Sequence, residues 1–73
     1  MNRYEFGKYL RAKRKEMGKT LKEMAATADI SVDHLRRFEK GGIERPGTSV
    51  LQKLAEAYKI PLRQVSDVFY KDD

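Results

Sequence analysis

Cysteine is absent from this 73-residue chain, and histidine occurs once, as His34. The first absence excludes a disulfide framework and a thiolate metal site. A lone imidazole builds no zinc centre, so no metal and no cofactor is expected. Long apolar runs are missing too. No segment reads as a membrane span, and the N-terminal "MNRYEFGKYLRAKRK" lacks the apolar stretch of a secretory signal, so a soluble, cytoplasmic protein is expected. There is no nucleophile–histidine–acid set and no phosphate-cradling loop, since Gly41-Gly42 neither follows a strand nor opens a helix. A chain of this length buries only ~60% of the surface its unfolded form exposes, which leaves little room for an enzyme pocket or a small-molecule site. Sustained period-2 alternation is also lacking, and apolar spacing is helical throughout.

What the chain does have is positive charge, unevenly placed. Sixteen Lys and Arg face eleven Asp and Glu, a net of +5. Residues 1–45 hold 12 basic and 7 acidic side chains, whereas residues 46–73 hold 4 of each. The whole excess lies in the first two-thirds, which points to an anionic partner there.

Five short helices account for the pattern. The first runs from about Tyr4 to Met17, with Phe6, Leu10 and Met17 as its buried stripe and Gly18 as its stop. Between Leu10 and Met17 the inward positions are Lys13 and Arg14, so one must reach out along its stem or find a buried acid. "TLKE" is a capping box in which Thr20 and Glu23 satisfy each other's amides, and Leu21, Met24, Ala25 and Ala28 follow on one apolar face. Asp29-Ile30 makes a turn, and Ser31 is a ready N-cap for a third helix over about 32–40. Gly41, suited to a left-handed position, ends it, and "IERPG" is a loop. A fourth helix from Thr48 or Ser49 to Tyr58 buries Val50, Leu51, Leu54, Ala55 and Tyr58. A fifth, about Leu62 to Phe69, buries Leu62, Val65 and Phe69.

The third helix, in "SVDHLRRFEKGG", carries the informative contradiction. At 100° per residue Leu35, Phe38 and Glu39 share one face, and Asp33, Arg37 and Lys40 centre on the other with Arg36 at its edge. Glu39 therefore points at the core, where a carboxylate requires a cation. The charged gap in the first helix supplies one. Arg14 rather than Lys13 is the expected partner, because a planar guanidinium binds a carboxylate bidentately and is the more weakly hydrated cation.

Taken in order, "LRAKRKEMG", "TLKEMA", "IS…L…FEKG", "RP" and "LQKLAEAYKIPL" resemble the lambda-repressor/Cro-type helix-turn-helix family, also called the xenobiotic response element family of transcriptional regulators. The likeness covers nearly the entire chain and needs no insertion. It implies an all-α, five-helix DNA-binding domain over residues 1–73, with the helix-turn-helix at about 20–40. It also implies a homodimer on a two-fold site in double-stranded DNA and an Arg14–Glu39 pair. Base readers map to Val32, Asp33 and Arg37, with Ser31, His34 and Arg36 as lesser candidates. Phosphate contacts map to Thr20 and Leu21 at the start of the second helix, and to Lys40 and Arg45 after the third. Three positions depart from the family pattern. Leu21 stands where a phosphate-clamping glutamine is common, which implies either weaker backbone anchoring or a shift of that duty to Lys19 and Lys22. Asp29 and Lys59 stand where glycines are common.

The chemistry fits the assignment. A major groove admits one helix, and its base edges carry a donor and acceptor code. Arg37 suits guanine O6 and N7, Asp33 suits cytosine N4, and Val32 suits a thymine methyl. Asp33 is equally a first-turn acid favoured by the helix dipole. No aromatic is expected on the outer face of the third helix, which disfavours RNA. The competing reading is a protein-interaction module of the same fold, antitoxin-like or anti-repressor. A dimer surface is expected around Val68, Phe69 and Tyr70. The closing "YKDD" gives no clear ending, so a longer regulator with a further domain is also compatible with the sequence.

Overall fold

A computed structural model describes residues 1–70; of the closing "YKDD" only Tyr70 is among them. Five helices follow in order: α1 Arg3–Glu16, α2 Leu21–Ala28, α3 Val32–Lys40, α4 Thr48–Tyr58 and α5 Leu62–Phe69. There is no strand among the described residues, and no helix is long and apolar enough to cross a membrane.

Local chemistry sets the helix ends. α1 starts and stops one residue earlier than its apolar stripe predicts, because Asn2 closes a capping box that the stripe does not reveal. The Asn2 side-chain oxygen accepts from the Glu5 amide at 2.8 Å, and the Glu5 carboxylate accepts from the Asn2 amide at 2.9 Å. Thr20 and Glu23 form the expected second box, at 3.1 and 2.8 Å. These bonds favour the ionised Glu23 carboxylate, and the Thr20 amide is the first cause of its lowered pKa. Ser31 caps α3 by accepting from the His34 amide at 3.0 Å. Asp29 and Lys59, the two residues in place of glycines, both adopt the left-handed region with φ of 57°.

Leu10, Met24, Leu35, Leu51, Leu54 and Tyr58 lie at the centre of the core with almost no exposure. Phe69 closes it from α5, packing edge-on against Phe6 and Phe38 with ring centroids 5.8 and 5.9 Å away. Met17, Leu21, Val50 and Phe69 sit at the core's rim, half-buried. Leu62 corrects the sequence reading, for it is 40% exposed. It is the first residue of α5, directly after Pro61, and Ile60, whose amide bonds to the Ala55 carbonyl just past the left-handed Lys59, takes the core place instead, at 8% exposure.

Two glycines fix how α1 meets α3. A Cβ on Gly7 would overlap the backbone carbonyls of Phe38 and Glu39, so the two helices touch backbone to backbone there. Gly41 has φ of 77°, and a Cβ on it would lie 2.5 Å from a ring carbon of Tyr4. α1 is thereby seated against the C-terminal end of α3. The loop after α3 is tied down on both sides: Arg3 bridges to Glu44 at 3.1 Å, and the Tyr70 hydroxyl donates to the Pro46 carbonyl.

Candidate nucleic-acid interface

α2 and α3 are joined by three residues, Asp29 to Ser31. The Ile30 amide reaches back to the Ala25 carbonyl at 3.0 Å, and the Lys53 ammonium holds the Asp29 carbonyl and carboxylate at 3.3 and 3.4 Å. The turn is thus closed from α2 and braced from α4.

α3 divides sharply into two faces. Leu35 and Phe38 are buried, and Glu39 lies beside them with a side chain only 9% exposed. Arg14 reaches it from α1. Its Nε donates to Glu39 Oε2 at 2.7 Å and its Nη2 to Oε1 at 3.1 Å, the two-pronged geometry of a guanidinium on a carboxylate. The third nitrogen, Nη1, donates to the Lys19 carbonyl at 3.0 Å. One side chain therefore fastens α1, the loop leading into α2, and α3. Donating to the Glu39 carboxylate raises the Arg14 pKa still further, so the guanidinium is charged at every relevant pH. Lys13 takes the other way out, with its ammonium 5.9 Å from the Tyr9 ring centre. Behind the pair lies Tyr58, fully buried, with its hydroxyl lacking a hydrogen-bond partner among the described residues. Burial first, and then the Glu39 charge, push its pKa well above the ordinary phenol range, against an opposing pull from Arg14.

The outward face holds Asp33, Arg36, Arg37 and Lys40, all exposed. Asp33 lies between the two arginines, 3.3 Å from Arg36 and 3.8 Å from Arg37, one helical turn away. Of the other proposed base readers, Ser31 is exposed and already occupied as a cap. Val32 is half-buried against the rim of the core. His34 is half-buried too, its ring 5.0 Å from that of Phe38. Val32 and His34 are thus partly structural, whereas the side chains of Arg37 and Asp33 are 68% and 74% exposed.

Among the proposed phosphate ligands, Thr20 spends its hydroxyl on the α2 cap, and Leu21 packs its side chain on the core, leaving only its backbone amide. Lys22, Lys40 and Arg45 are exposed. Lys19 is engaged internally, its ammonium 3.1 Å from the Thr27 hydroxyl. Arg11, which the sequence reading did not place at the interface, borders the same flank as Arg36 and Lys40. Its position one turn before Arg14 was the available signal. The third bond of Arg14, to Lys19, left no trace in the sequence because it depends on how the loop closes.

Two short helices on a three-residue turn, the second clasped from behind and basic in front, define a helix-turn-helix domain. Comparison with known proteins agrees. The helix-turn-helix family model matches residues 10–65, and the chain belongs to the helix-turn-helix family of transcriptional regulators of the lambda-repressor/Cro type. It is 41% identical over 58 residues to the HTH-type transcriptional repressor RghR of Bacillus subtilis (strain 168), a match covering 77% of this chain and 42% of that protein. The chain therefore spans under half the length of that relative. Its fold is similar to the crystal structure of the clp gene regulator ClgR from C. glutamicum, with a TM-score of 0.69 and 28% identity over 86% of this chain and 80% of that one.

Proposed function

We propose that this chain, as a single domain, binds double-stranded DNA sequence-specifically for a transcriptional repressor, with α3 lying in the major groove. The observation that carries the reading is the division of α3: Arg37 and Lys40 face solvent while Glu39, on the same two turns, is clasped by Arg14. A helix presented to a groove must have its rotation fixed, and this clasp fixes it. Arg37 reads guanine, Val32 touches a thymine methyl, and Ser31, His34 and Arg36 stand at the edge of the readable surface. Asp33 either accepts from cytosine N4 or orients Arg37. The α2 amides near Thr20 and Leu21, with Lys22, Lys40 and Arg45, bind phosphates and set register. In this reading the domain works on DNA in the cytoplasm, and the contacts named come from side chains and backbone amides alone.

The protein acts as a homodimer on a two-fold site, which sets the two copies of α3 ~34 Å apart on successive major grooves. Val68 and Phe69, half-buried, and Tyr70, exposed, are the surface for that contact. The test is selection of bound sites from random duplexes, followed by affinity against salt and sedimentation to count subunits. Binding should fall log-linearly with salt, by ~0.9 in slope for each phosphate neutralised, and a palindromic site should emerge. Salt-insensitive binding, or no selected sequence, would favour the protein-interaction module instead.

A further inference from the structure

α1, the N-terminus of α2 and the outer flank of α3 enclose a shallow cleft of about 290 Å³ bordered by Arg11, Arg14, Leu21, Arg36, Glu39 and Lys40. Its charge is less balanced than that roster suggests. Both Glu39 oxygens are taken by Arg14, at 2.7 and 3.1 Å, so those two charges cancel in place. Arg36 is held only by an exposed contact to Asp33 at 3.3 Å, a pair weak enough to be exchanged. Arg11 and Lys40 take part in no ion pair among the described residues and are exposed. Three cations from two helices thus converge on one recess with no uncompensated acid in it. Leu21, the residue that departs from the family's phosphate-clamping glutamine, is the apolar member of its lining.

We infer that this cleft seats one phosphodiester of the duplex, and that Arg11 of α1 and Arg36 of α3 grip it together with Lys40. The inference rests on the proposed placement of α3 in the groove and moves Arg36 from base reading to backbone binding. α1 becomes a DNA-binding element rather than only a support. The cations supply what a side chain at position 21 does not, and they do so without reading sequence. Each side chain reaches the recess along its own stem, so the grip adds affinity and register but no preference among bases.

The test compares Arg11→Gln with the unchanged chain and with Arg63→Gln, which removes the same charge from the exposed start of α5. Affinity for a selected site and for an unrelated duplex of the same length is measured between 50 and 200 mM salt. Circular dichroism melting confirms that each variant folds. Arg11→Gln should weaken binding to both duplexes alike and lower the salt slope by about one, so that the fourfold rise in salt costs it ~4-fold less affinity than it costs the unchanged chain. Arg36→Gln should do the same, whereas Arg63→Gln should leave the slope alone. An unchanged slope for Arg11→Gln, with the parent binding DNA steeply, overturns the cleft and leaves the groove-binding reading intact. A parent that binds neither duplex overturns both. Loss confined to the selected site would make Arg11 or Arg36 a base reader and also overturn the assignment.

Discussion

α3 makes two sets of arginine–carboxylate contacts, one on each face, and they differ in almost every physical respect. The inward pair, Arg14–Glu39, is two-pronged, 2.7 Å at its shorter bond, and 11% and 9% exposed. The outward set, Arg36 and Arg37 with Asp33, is 3.3 to 3.8 Å apart and 48% to 74% exposed. Water screens the outward charges, and holding long side chains in one geometry costs entropy, so such pairs are worth at most about 1 kcal/mol. The inward pair has little water to return to if broken. The same chemistry therefore serves two ends. Inward it locks the rotation of the helix, and outward it keeps arginines close to a place from which a phosphate or a base can take them.

The sharpest way to break the comparison is Glu39→Ala. It leaves the Arg14 guanidinium nearly buried with only the Lys19 carbonyl as partner. Removing one member of a buried pair costs ~3–5 kcal/mol, and the remaining exposure argues for the lower end, about 3 kcal/mol. A chain of this size has a total stability of roughly 4–11 kcal/mol, so the melting temperature should drop steeply. Glu39→Gln, which keeps the shape and one acceptor, should cost less. A melting curve barely moved by Glu39→Ala would mean that the clasp contributes little to holding α3.

Arg37→Ala, on the other face, should show the reverse. Stability should stay within about 0.5 kcal/mol. Affinity for the selected site should fall by roughly 1–3 kcal/mol, with one base position relaxed. Titration against selected and random duplexes measures both. Equal loss on the two would remove Arg37 from the reading surface.

Much of this was legible in the chain, for reasons that differ residue by residue. Thr20 and Glu23 announce α2 because a capping box is a contact within four residues. Glu39 betrays the clasp because a carboxylate on an apolar helix face has to be answered. Arg14 could be preferred to Lys13 on the chemistry of the two cations alone. What stayed hidden depends on tertiary approach. Gly7 gives no local sign that the α1 backbone meets the carbonyls of Phe38 and Glu39. Ile60 takes the core place of Leu62 because the chain reverses at the left-handed Lys59 and the Ile60 amide closes back on the Ala55 carbonyl, where helical spacing no longer applies. The ties of Arg3 to Glu44 and of Tyr70 to Pro46 join segments far apart in sequence. At the interface, the cap role of Ser31 was legible, but the sequence named the outward residues of α3 without showing that the fold already employs His34 against Phe38.

Tyr58 sharpens the inward half of the comparison from behind. Its buried hydroxyl has no protein partner among the described residues, so Tyr58→Phe removes a desolvated group that no protein atom compensates. Such unmet groups cost ~1–3 kcal/mol, and stability should rise by up to about 1 kcal/mol, since a phenylalanine ring fills the same space. The pH dependence has a definite sign. In the unfolded chain the phenol ionises near pH ~10, and in the fold burial raises that value. Below it both states keep the proton, and above it only the unfolded chain releases it, so this contribution to stability is lost as pH rises past about 10. Tyr58→Phe should remove that part of the alkaline decline, measured by denaturant melts from pH 7 to 11. A variant destabilised at neutral pH would show that the hydroxyl bonds to the Arg14–Glu39 pair through water.

The smallest effect on the fold belongs to Asp33→Ala, and it separates the two roles open to that carboxylate. Losing two exposed ion pairs and a first-turn acid should cost less than about 1 kcal/mol. On DNA the loss is a gain of net charge on the face that meets phosphates, and both Arg36 and Arg37 are released. Random duplexes should then bind several-fold more tightly at low salt. If Asp33 only orients Arg37, the selected site should tighten alongside them and the ratio between the two should shrink little. If it accepts from cytosine N4, the selected site should weaken while random DNA tightens, and repeat selection with the variant should lose its preference at one C·G pair. An exposed acid worth almost nothing to folding would then carry a base pair of specificity, which the inward glutamate, for all its stabilising effect, cannot do.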